Sequence, residues 1–589
     1  IQGCLDLVEA RTGERLDIER VPLEDERTYA MLARGEAIGV FQFESSGMRE
    51  ALREVRPTEF ADLIALVALY RPGPMAFIST YARNKRDPSR VTFEDPRLEP
   101  ITGPTYGVAV YQEQLMAISR QIAGFSPSRA DDLRKAVGKK DKVLMASLKD
   151  EFIEGCLGSG TDARVAQSLW SLCEAAGDYS FNKSHAACYA LLAYRTAYLK
   201  ANHPAEYMAS LLSSVMDTKD RVPFYVSACA EMDLEVLPPD VNVSGADFTV
   251  SDEDAAEAAA GRIRFGLTAV KGVGENAVAA IIAARDAGGP FESIWDFCRR
   301  VDQAQVNKRA LESLIRSGAL DSTGATRRGM LEALPAAMAQ AARRRSDLAL
   351  GQESLFAAMA GADDAPQMEV DPPIAAQEMP REELLAAEKE ALGLYVSSHP
   401  LQDCRRQLAR AVTCGLAQLP ERADGEAVTV GGILGAVKHI TTRKGEPMMF
   451  ARLDDLAGTV EVVVVPAVLA ESRELLVADG LVLVSGRVDH KGEGETKVVA
   501  QSVRAFVPEE GGEEERLVVR VEIDRLAATP LAELRRLLAD HRGEAPVVVD
   551  VTTAEGPRRL RLGEEFRVDP RDRSLVAELK TLFGERCLA

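Results

Sequence analysis

The sequence predicts a multidomain α + β protein: a long helical part, a helical hairpin part, a β-barrel and a small α+β unit. Three observations lead to this prediction. The chain has 589 residues, which is enough for several domains of ordinary size. Its first part, up to about residue 236, reads as predominantly helical. From residue 426 to 507 short alternating runs separated by glycine-rich turns are typical of strands.

Composition and charge limit the kinds of partner that the chain can have. Hydrophobic residues make up 46% and charged residues 28%, as in a water-soluble globular protein. The net charge of −20 argues against indiscriminate binding to nucleic acid, so contact with DNA must come from local basic patches. The nine cysteines form no CxxC pair, which favours a reducing cytoplasm and argues against zinc. The sequence holds no apolar run long enough to span a membrane.

The beginning of the chain predicts a truncated start. The first residue is Ile1, and the segment after it reads as helix without the basic start of a signal peptide. We therefore expect a fragment of a longer protein.

The stretch from Gly124 to Ala190 carries the strongest indication of a binding site. Ser126 and Pro127 suit the start of a helix, and Gly138 suits its end. Four cations gather at the C-terminal end of this predicted helix, with no acid among residues 134–140: Arg134, Lys135, Lys139 and Lys140. Lysines in this position also complement the helix dipole on ordinary surfaces, so the cluster alone does not decide for a function.

A second polar group stands at the entry to another predicted helix. It comprises Asn182, Lys183, Ser184 and His185. Cations at one helix end that face polar groups at the start of another suit a polyphosphate or a nucleic-acid backbone. The alternative is an ordinary helix cap by Asn182 or Ser184.

Five motifs in this part of the chain are long, ordered and regularly spaced. They are FQFES-x-GM at 41–48, YRPGP at 70–74, TYGVAVYQEQLM at 105–116, LRKAVGKK at 133–140 and FNKSHAACYALLAYRTAYLKA at 181–201. Together they resemble the fingers region of the bacterial DNA polymerase III alpha subunit, a family C replicative polymerase. The resemblance extends over nearly the whole chain.

The resemblance implies roles for the polar residues of these motifs. Arg134 and Lys135 would face the triphosphate of the incoming dNTP, and Lys139 and Lys140 would add to the same positive field. Lys135 stands where family members often have a second Arg, which keeps the charge and loses the planar fork. Asn182, Lys183 and His185 would lie near the nascent base pair or the template. Arg71 would contact the DNA backbone, with a purely structural turn as the equal alternative.

Polymerase chemistry needs two metal ions held by carboxylates roughly 3.5–4 Å apart. Asp131 and Asp132 are adjacent on a predicted helix and point about 100° apart, and Asp454 and Asp455 look like turn residues. By resemblance, the catalytic aspartates and the Mg²⁺ that they bind belong to a palm region upstream of Ile1. We therefore assign no catalytic and no metal-binding residue here and expect no polymerisation by this chain alone.

Residues 237 to 340 predict a tandem helix-hairpin-helix domain. The first copy places KGVG, with Lys271, Gly272 and Gly274, between two predicted helices. Glycines let the backbone approach a phosphate, and the following helix presents free N–H groups to it. A weaker second copy turns near Gly318, where a plain helical hairpin is the alternative. A tandem pair binds duplex DNA by its backbone without reading sequence.

Residues 341 to 425 read as a linker with short helices. Within this segment Gln352, Leu355 and Phe356 resemble the Q-x-x-L-F peptide by which replication proteins bind the sliding clamp, the beta subunit. Two apolar anchors and one amide that fixes register suit a peptide bound in pockets. A helix edge is the alternative.

The last two regions predict a barrel and an interaction domain. Residues 426 to 507 show about five strands in the pattern of an OB-fold, with Arg443 and Lys444 in an early turn where a phosphate could bind. Because aromatic residues are scarce there, with Phe450 the main candidate, we expect weak single-strand binding or, alternatively, a protein-docking OB-fold. Residues 508 to 589 predict a small α+β domain, which by resemblance contacts the tau subunit of the clamp loader.

These expectations describe the C-terminal part of a replicative polymerase that adds dNTPs to a DNA primer-template. Two alternatives remain open: a non-catalytic DNA-binding scaffold and the error-prone translesion paralogue of the same family. The clamp peptide and the C-terminal domain favour the replicative form over the paralogue.

Overall fold

The computed structural model describes most of the chain. The described residues are 1–139, 141–218, 221–251, 261–349, 371–397, 400–402, 404–441, 445–455, 458–477, 480–490, 496–507, 517–522, 528–553, 556–563, 566–569, 572–583 and 587. Several predicted site residues lie outside them: Lys140, Gln352, Leu355, Phe356, Arg443 and Lys444. The side chain of Lys139 lies outside the description as well.

The first part of the chain is helical, as predicted. Its α-helices are α1 Gln2–Thr12, α2 Glu26–Ala33, α3 Ser46–Val55, α4 Phe60–Leu69, α5 Ile78–Arg86, α6 Glu99–Thr102, α7 Gln112–Gln121, α8 Pro127–Lys139, α9 Lys142–Gly158, α10 Ala163–Tyr179, α11 Lys183–Asn202, α12 Pro204–Ser214 and α13 Arg221–Ala230. Side-chain caps fix several of their starts: Asp25, for example, accepts the Thr28 N–H at 2.8 Å.

Two apolar cores organise these helices. One core is built mainly from α2 to α5 and α11, and Tyr194 of α11 is fully buried in it. The other is built mainly from α7 to α10 around Trp170, whose ring centroid lies 5.4 Å from that of Phe152. Because α7 and α11 belong to different cores, the contact between their N-terminal ends joins the two halves of the helical part.

The hairpin part mixes a small sheet with helices. Its elements are β1 Glu235–Leu237, β2 Thr249–Ser251, β3 Arg262–Arg264, α14 Glu275–Gly288, α15 Ile294–Arg300, α16 Lys308–Arg316, α17 Arg327–Ala349 and α18 Arg381–Leu392. The strands pair in the order β1-β3-β2.

The prediction of a helix before KGVG is wrong. The chain forms β3 and a single 3₁₀ turn, Leu267–Ala269, at that place. A short apolar run fits strand and helix equally well, and pairing of β3 with both neighbouring strands decides for the strand. Gly266 lies close against the backbone of the preceding segment, since a Cβ there would be 2.6 Å from the Ala246 carbonyl oxygen.

Packing crosses two of the expected domain limits. One continuous core joins Cys4 and Val8 of α1 and Leu212 of α12 to Val278 and Leu314 of the hairpin part, across residue 236. Helix α17 runs through residue 340. The division of the chain after residues 236 and 340 stays a prediction about sequence modules.

The predicted OB-fold is confirmed. Strands β4 Ala427–Thr441, β5 Pro447–Asp454, β6 Thr459–Val464, β7 Leu481–Asp489 and β8 Lys497–Ala505 close into a barrel in the order β4-β5-β6-β8-β7. Helix α19, Arg405–Ala411, precedes the barrel, and α20, Pro466–Ser472, lies between β6 and β7. Valines from alternate positions fill its interior, as the two-residue period requires.

The C-terminal unit is a small α+β domain. It consists of β9 Leu517–Glu522, α21 Ala528–Asp540, β10 Arg542–Ala545, β11 Val547–Thr553, β12 Gly556–Arg561 and α22 Arg573–Phe583, with sheet order β12-β11-β9. The predicted multidomain α + β fold class is therefore confirmed.

Three chemical features of the described residues bear on function. None of their helices is both long and apolar enough to cross a bilayer. Within the same residues, no group of three or more His, Cys, Asp or Glu side chains is placed to hold a metal ion. The nine cysteines carry free thiols, and of these Cys188 is exposed.

Candidate functional site

The two segments singled out in the sequence meet at the start of α7. The backbone N–H of Gln112 donates to the Phe181 carbonyl oxygen at 2.9 Å, and the Phe181 N–H donates to the Val110 carbonyl oxygen at 3.1 Å. This short parallel bridge lays the chain that enters α11 beside the chain that enters α7.

Glu113 in the first turn of α7 holds the N-terminal end of α11. Its carboxylate accepts the Lys183 N–H at 3.1 and 3.0 Å and the Asn182 side-chain amide at 3.1 Å. The Asn182 side-chain Oδ1 accepts the His185 N–H at 2.8 Å, so Asn182 caps the helix. The capping role considered for Asn182 is therefore present. The side chains of Lys183 and His185 are exposed, and Lys183 Nζ lies 5.3 Å from the centre of the Tyr111 ring.

Arg71 joins the same surface through an aromatic contact. Its guanidinium carbon lies 4.2 Å from the centre of the Phe181 ring, and its Nε donates to the Ala68 carbonyl oxygen at 2.9 Å. Burial holds the pKa of Arg71 below its ordinary value. The structural role considered for this turn is present together with a cation placed beside the α11 N-terminus.

A row of rings continues from Phe181 along α11. The ring centroids of Phe181 and His185 are 5.3 Å apart, those of His185 and Tyr189 are 4.6 Å apart, and Phe41 stacks on Tyr189 at 5.8 Å. Phe41 is 40% exposed, and its neighbour Gln42 has φ of 63°, an uncommon conformation for a residue other than glycine. We name these four rings the aromatic row.

Sequence reasoning missed part of the aromatic row. The spacing of Phe181, His185 and Tyr189 by four residues was a usable signal, because such side chains are neighbours on one helix face. Phe41 could not be added from spacing, since it comes from a different motif and is held in place by the Thr196 hydroxyl, which accepts its N–H at 3.1 Å.

The cations of α8 are arranged around one carboxylate. Arg134 Nε donates to Asp131 at 2.9 Å, and Lys135 Nζ lies 2.8 Å from the other oxygen of the same carboxylate. Lys135 first, and Arg134 next, hold the pKa of Asp131 below its usual range. The stretch 134–140 contains no acid, yet Asp131 one turn earlier partly neutralises it, a pairing that helical spacing could have predicted.

Helix α8 lies against the start of α7. A Cβ added to Gly138 would be 3.7 Å from the side-chain amide nitrogen of Gln112. Arg134 stands one turn before Gly138 and therefore on the same helix face. The structure thus brings Arg71 and Lys183 together at the first turn of α7, with the aromatic row extending from them. Helix α8, which carries Arg134, packs against the same turn through Gly138.

The first hairpin presents the predicted glycines at the surface. Gly272 has φ of 83°, the left-handed region that favours glycine, and Gly274 stands at the N-terminal end of α14. The Lys271 N–H donates to the Ala391 carbonyl oxygen of α18 at 2.9 Å, so the segment read as linker packs on the hairpin.

In the second copy of the hairpin, a side chain of the protein itself covers the turn. Arg327 at its end is 7% exposed; its guanidinium lies 2.6 Å from Asp321 and 3.7 Å from the buried carboxylate of Glu388. A Cβ on Gly318 would be 2.2 Å from the same guanidinium, so Arg327 covers the turn.

On the barrel, Lys497 Nζ lies 5.9 Å from the centre of the Phe450 ring and 2.6 Å from Glu461 Oε2. Phe450 is half-buried at this place. The turn that carries Arg443 and Lys444 falls outside the described residues.

Comparison with protein families finds four matching family models. They are the bacterial DNA polymerase III alpha subunit finger domain at 1–160, a helix-hairpin-helix motif at 233–330, an OB-fold nucleic acid binding domain at 428–505 and the DNA polymerase III subunit alpha C-terminal domain at 533–584. Each match falls on the part of the structure with the corresponding architecture.

Curated relatives align along almost the whole chain. The DNA polymerase III subunit alpha of Saccharopolyspora erythraea is 39% identical, over 99% of this chain and 49% of its own length. The proteins of the same name from Pseudomonas aeruginosa and Escherichia coli are 37% and 35% identical, each over 98% of this chain and 50% of their own length. The chain spans about half the length of the curated relatives that it matches.

Proposed function

This chain belongs to the family of bacterial DNA polymerase III alpha subunits, and we propose that it supplies the nucleotide-binding and DNA-binding part of a replicative DNA polymerase. The reaction is template-directed addition of deoxynucleotides to a primer. The observation that carries the proposal is the meeting of Arg71, Lys183 and the aromatic row at the first turn of α7, against which the helix that carries Arg134 packs. Cations beside stacked rings suit a ligand that combines phosphates with bases.

The α8 cations are proposed to bind the triphosphate of the incoming dNTP. Arg134 and Lys135 share Asp131 in the free chain, and Lys139 and Lys140 follow at the helix end. A triphosphate carries more negative charge than one carboxylate, so it can draw Arg134 and Lys135 away from Asp131. Preorganised cations of this kind stabilise the charge that develops on the transferred group.

The start of α11 is proposed to contact the template and the nascent base pair. Asn182 positions the helix through Glu113, and Lys183 and His185 extend from its exposed end. The aromatic row offers faces on which unpaired bases can stack without regard to sequence. Arg71 adds a cation for the DNA backbone at the same place.

Two-metal chemistry, which activates the primer hydroxyl and neutralises the leaving phosphate, requires Mg²⁺ on carboxylates. The described residues present no group of three ligands for such an ion, so they do not fit the role of its site. We therefore assign Mg²⁺ to the palm of the polymerase and limit this chain to binding and orienting its substrates.

The remaining regions are proposed to hold DNA and replication partners. Lys271, Gly272 and Gly274 bind the duplex backbone, while the barrel, through Arg443 and Lys444, binds a single strand. Replacing both barrel cations with Gln tests this role. Weaker binding of an oligothymidylate would support single-strand binding by the barrel, and unchanged binding would favour protein docking. The C-terminal unit contacts the tau subunit of the clamp loader.

Gln352, Leu355 and Phe356 are proposed to bind the sliding clamp. Before this peptide, the Arg345 guanidinium lies 3.1 Å from Asp302, just after α15. After it, the described chain resumes with Asp371, which pairs with Arg299 of α15. Residues on both sides of the peptide are therefore paired with the same segment of the hairpin part.

The test uses the polymerase that contains this chain. Replacing Arg134 with Ala should raise the KM for dNTP about tenfold, the equivalent of roughly 1.4 kcal/mol of lost phosphate binding. The measurement is single-nucleotide primer extension as a function of dNTP concentration. Arg164→Ala removes an exposed Arg from the neighbouring helix α10 and serves as the control. An unchanged KM in Arg134→Ala would remove the triphosphate assignment.

The replicative form is favoured over the error-prone paralogue by one comparison. Residues 533–584 match the C-terminal domain model of DNA polymerase III subunit alpha, the region expected of the replicative form. The family matches reported above give no such support to the other alternative, a non-catalytic DNA-binding scaffold.

A further inference from the structure

A cleft of about 620 Å³ lies beside the first hairpin, on the side of α16. One wall is the hairpin itself, and the opposite wall is the exposed face of α16. The cleft is lined by four cations, one hydroxyl group and the hairpin glycine: Lys271, Lys308, Arg309, Arg316, Ser313 and Gly272. The walls approach closely, since a Cβ on Gly272 would be 3.5 Å from the Ser313 hydroxyl oxygen.

Two carboxylates also line the cleft, and each pairs with one of its cations. Glu312 lies 3.6 Å from Lys308 on the same helix, and Glu390 of α18 lies 3.4 Å from Arg316. Four cations against two acids leave a positive cleft on a chain whose net charge is −20. Exposed pairs at these distances are weak, so a stronger anion can replace the carboxylates.

The second hairpin copy does not offer an equivalent surface. Arg327 covers its turn and is neutralised by Asp321 and Glu388. The Glu378 carboxylate accepts the N–H groups of Arg327 and Arg328 at 2.8 and 3.0 Å, at the start of α17. Symmetric use of two hairpins on DNA is therefore blocked by groups of this chain.

We infer that duplex DNA is held asymmetrically, with its phosphodiester backbone in the cleft that the first hairpin and the outer face of α16 line. Lys308, Arg309 and Arg316 contact phosphates there, and Glu390 competes with those phosphates for Arg316. Helix α18, which the sequence places in a linker, thereby sets the affinity of the cleft. This inference rests on the proposed contact between the first hairpin and duplex DNA.

The experiment measures binding of the whole chain to a blunt duplex of about 20 base pairs by fluorescence anisotropy, between about 50 and 200 mM salt. Lys308→Gln combined with Arg316→Gln should weaken binding equally for unrelated sequences. It should also reduce the slope of log affinity against log salt by up to about 2, because each phosphate contact contributes about 0.9. Both side chains are exposed, and a circular dichroism melt checks that the fold is retained.

Glu390→Gln should act in the opposite direction. It should tighten duplex binding severalfold, since Glu390 then no longer competes with a phosphate for Arg316. Glu383→Gln makes the same charge change at an exposed position of α18 that does not line the cleft, and it should leave affinity nearly unchanged. Equal effects of the two variants would indicate general charge and overturn the competition by Glu390.

Lys271→Gln separates the two levels of the proposal. If it weakens duplex binding while the α16 double variant binds as well as the wild type, the asymmetric cleft is wrong and hairpin binding stands. If neither variant weakens binding, the hairpin itself does not bind duplex DNA. If the double variant loses more affinity for single-stranded DNA than for the duplex, the cleft binds a single strand and our inference is wrong.

Discussion

Lys200 shows at the scale of one residue how a buried cation can hold a loop. It is 3% exposed near the C-terminal end of α11, and its Nζ donates to the carbonyl oxygens of Glu36 and Ile38 at 2.9 and 2.8 Å. Burial lowers the pKa of Lys200 to about 8. These bonds tie the segment between α2 and α3, which leads to the aromatic ring of Phe41, to the helix that carries the rest of the aromatic row.

The lowered pKa of Lys200 predicts a specific pH dependence of stability. Below pH 8 the ammonium is charged in both states, and above about 10.4 it is neutral in both. Between these values the unfolded chain binds more protons than the folded chain, so the free energy of unfolding rises with pH, by about 3 kcal/mol at most. Urea unfolding of wild type and Lys200→Met at pH 7.5 and 10.5 should show the difference moving in favour of the wild type. A difference that does not change with pH would contradict the lowered pKa of Lys200.

At the scale of an element, one glycine determines how closely helix α9 packs. A Cβ on Gly155 would be 2.0 Å from the Ala123 carbonyl oxygen, so α9 can lie this close to the end of α7 only with glycine there. The same packing places Phe152 of α9 against Phe125, just before α8, at 5.8 Å between ring centroids. The position of the cations on α8 thus depends on the approach of α9.

Gly155→Ala should therefore destabilise the chain by about 1–3 kcal/mol, because the added methyl overpacks a rigid backbone contact. Gly158→Ala, on the same helix, meets nothing within 4 Å and should be neutral or stabilising by up to about 1 kcal/mol. Chemical denaturation followed by circular dichroism compares the two. Equal stability of both variants would show that α9 is free to shift.

At this scale the sequence predicted the helices and strands themselves better than the contacts between them. The alternating valines of 426–507 predicted strands, and the observed barrel follows from them. The apolar run before KGVG fitted two structures, and only pairing of β3 with β1 and β2 decided between them. For the site, helix spacing could place Phe181, His185 and Tyr189 on one face, whereas stacking of Phe41 on Tyr189 depends on how separate elements fold together.

The whole molecule is acidic, and its proposed anion sites each hold only a few cations. With a net charge of −20, long-range attraction to DNA is unfavourable, and local sites must supply the affinity. Partner proteins can supply the rest, because linking binding sites raises their effective concentration. The clamp peptide and the C-terminal unit are our candidates for that role.

A capture experiment tests the partner assignments. Leu355→Ala combined with Phe356→Ala should abolish capture by the sliding clamp, because two apolar anchors are lost, and should leave duplex binding unchanged. Val143→Ala with Leu157→Ala removes two exposed apolar side chains of α9 and is the matched control. Undiminished clamp capture by the first variant would rule out the peptide. Capture by the tau subunit should instead depend on residues 508–589.

The two ion pairs at the end of α15 have a mechanical consequence. Arg345 pairs with Asp302, just after α15, and Arg299 of α15 pairs with Asp371, so both sides of the proposed clamp peptide are held to one segment of the chain. A moving ring that pulls on the peptide would share its load between two fastenings, and the force would reach the hairpin without passing through the barrel. Tension between ring and polymerase would then act first on the hairpin, which we propose to bind the duplex.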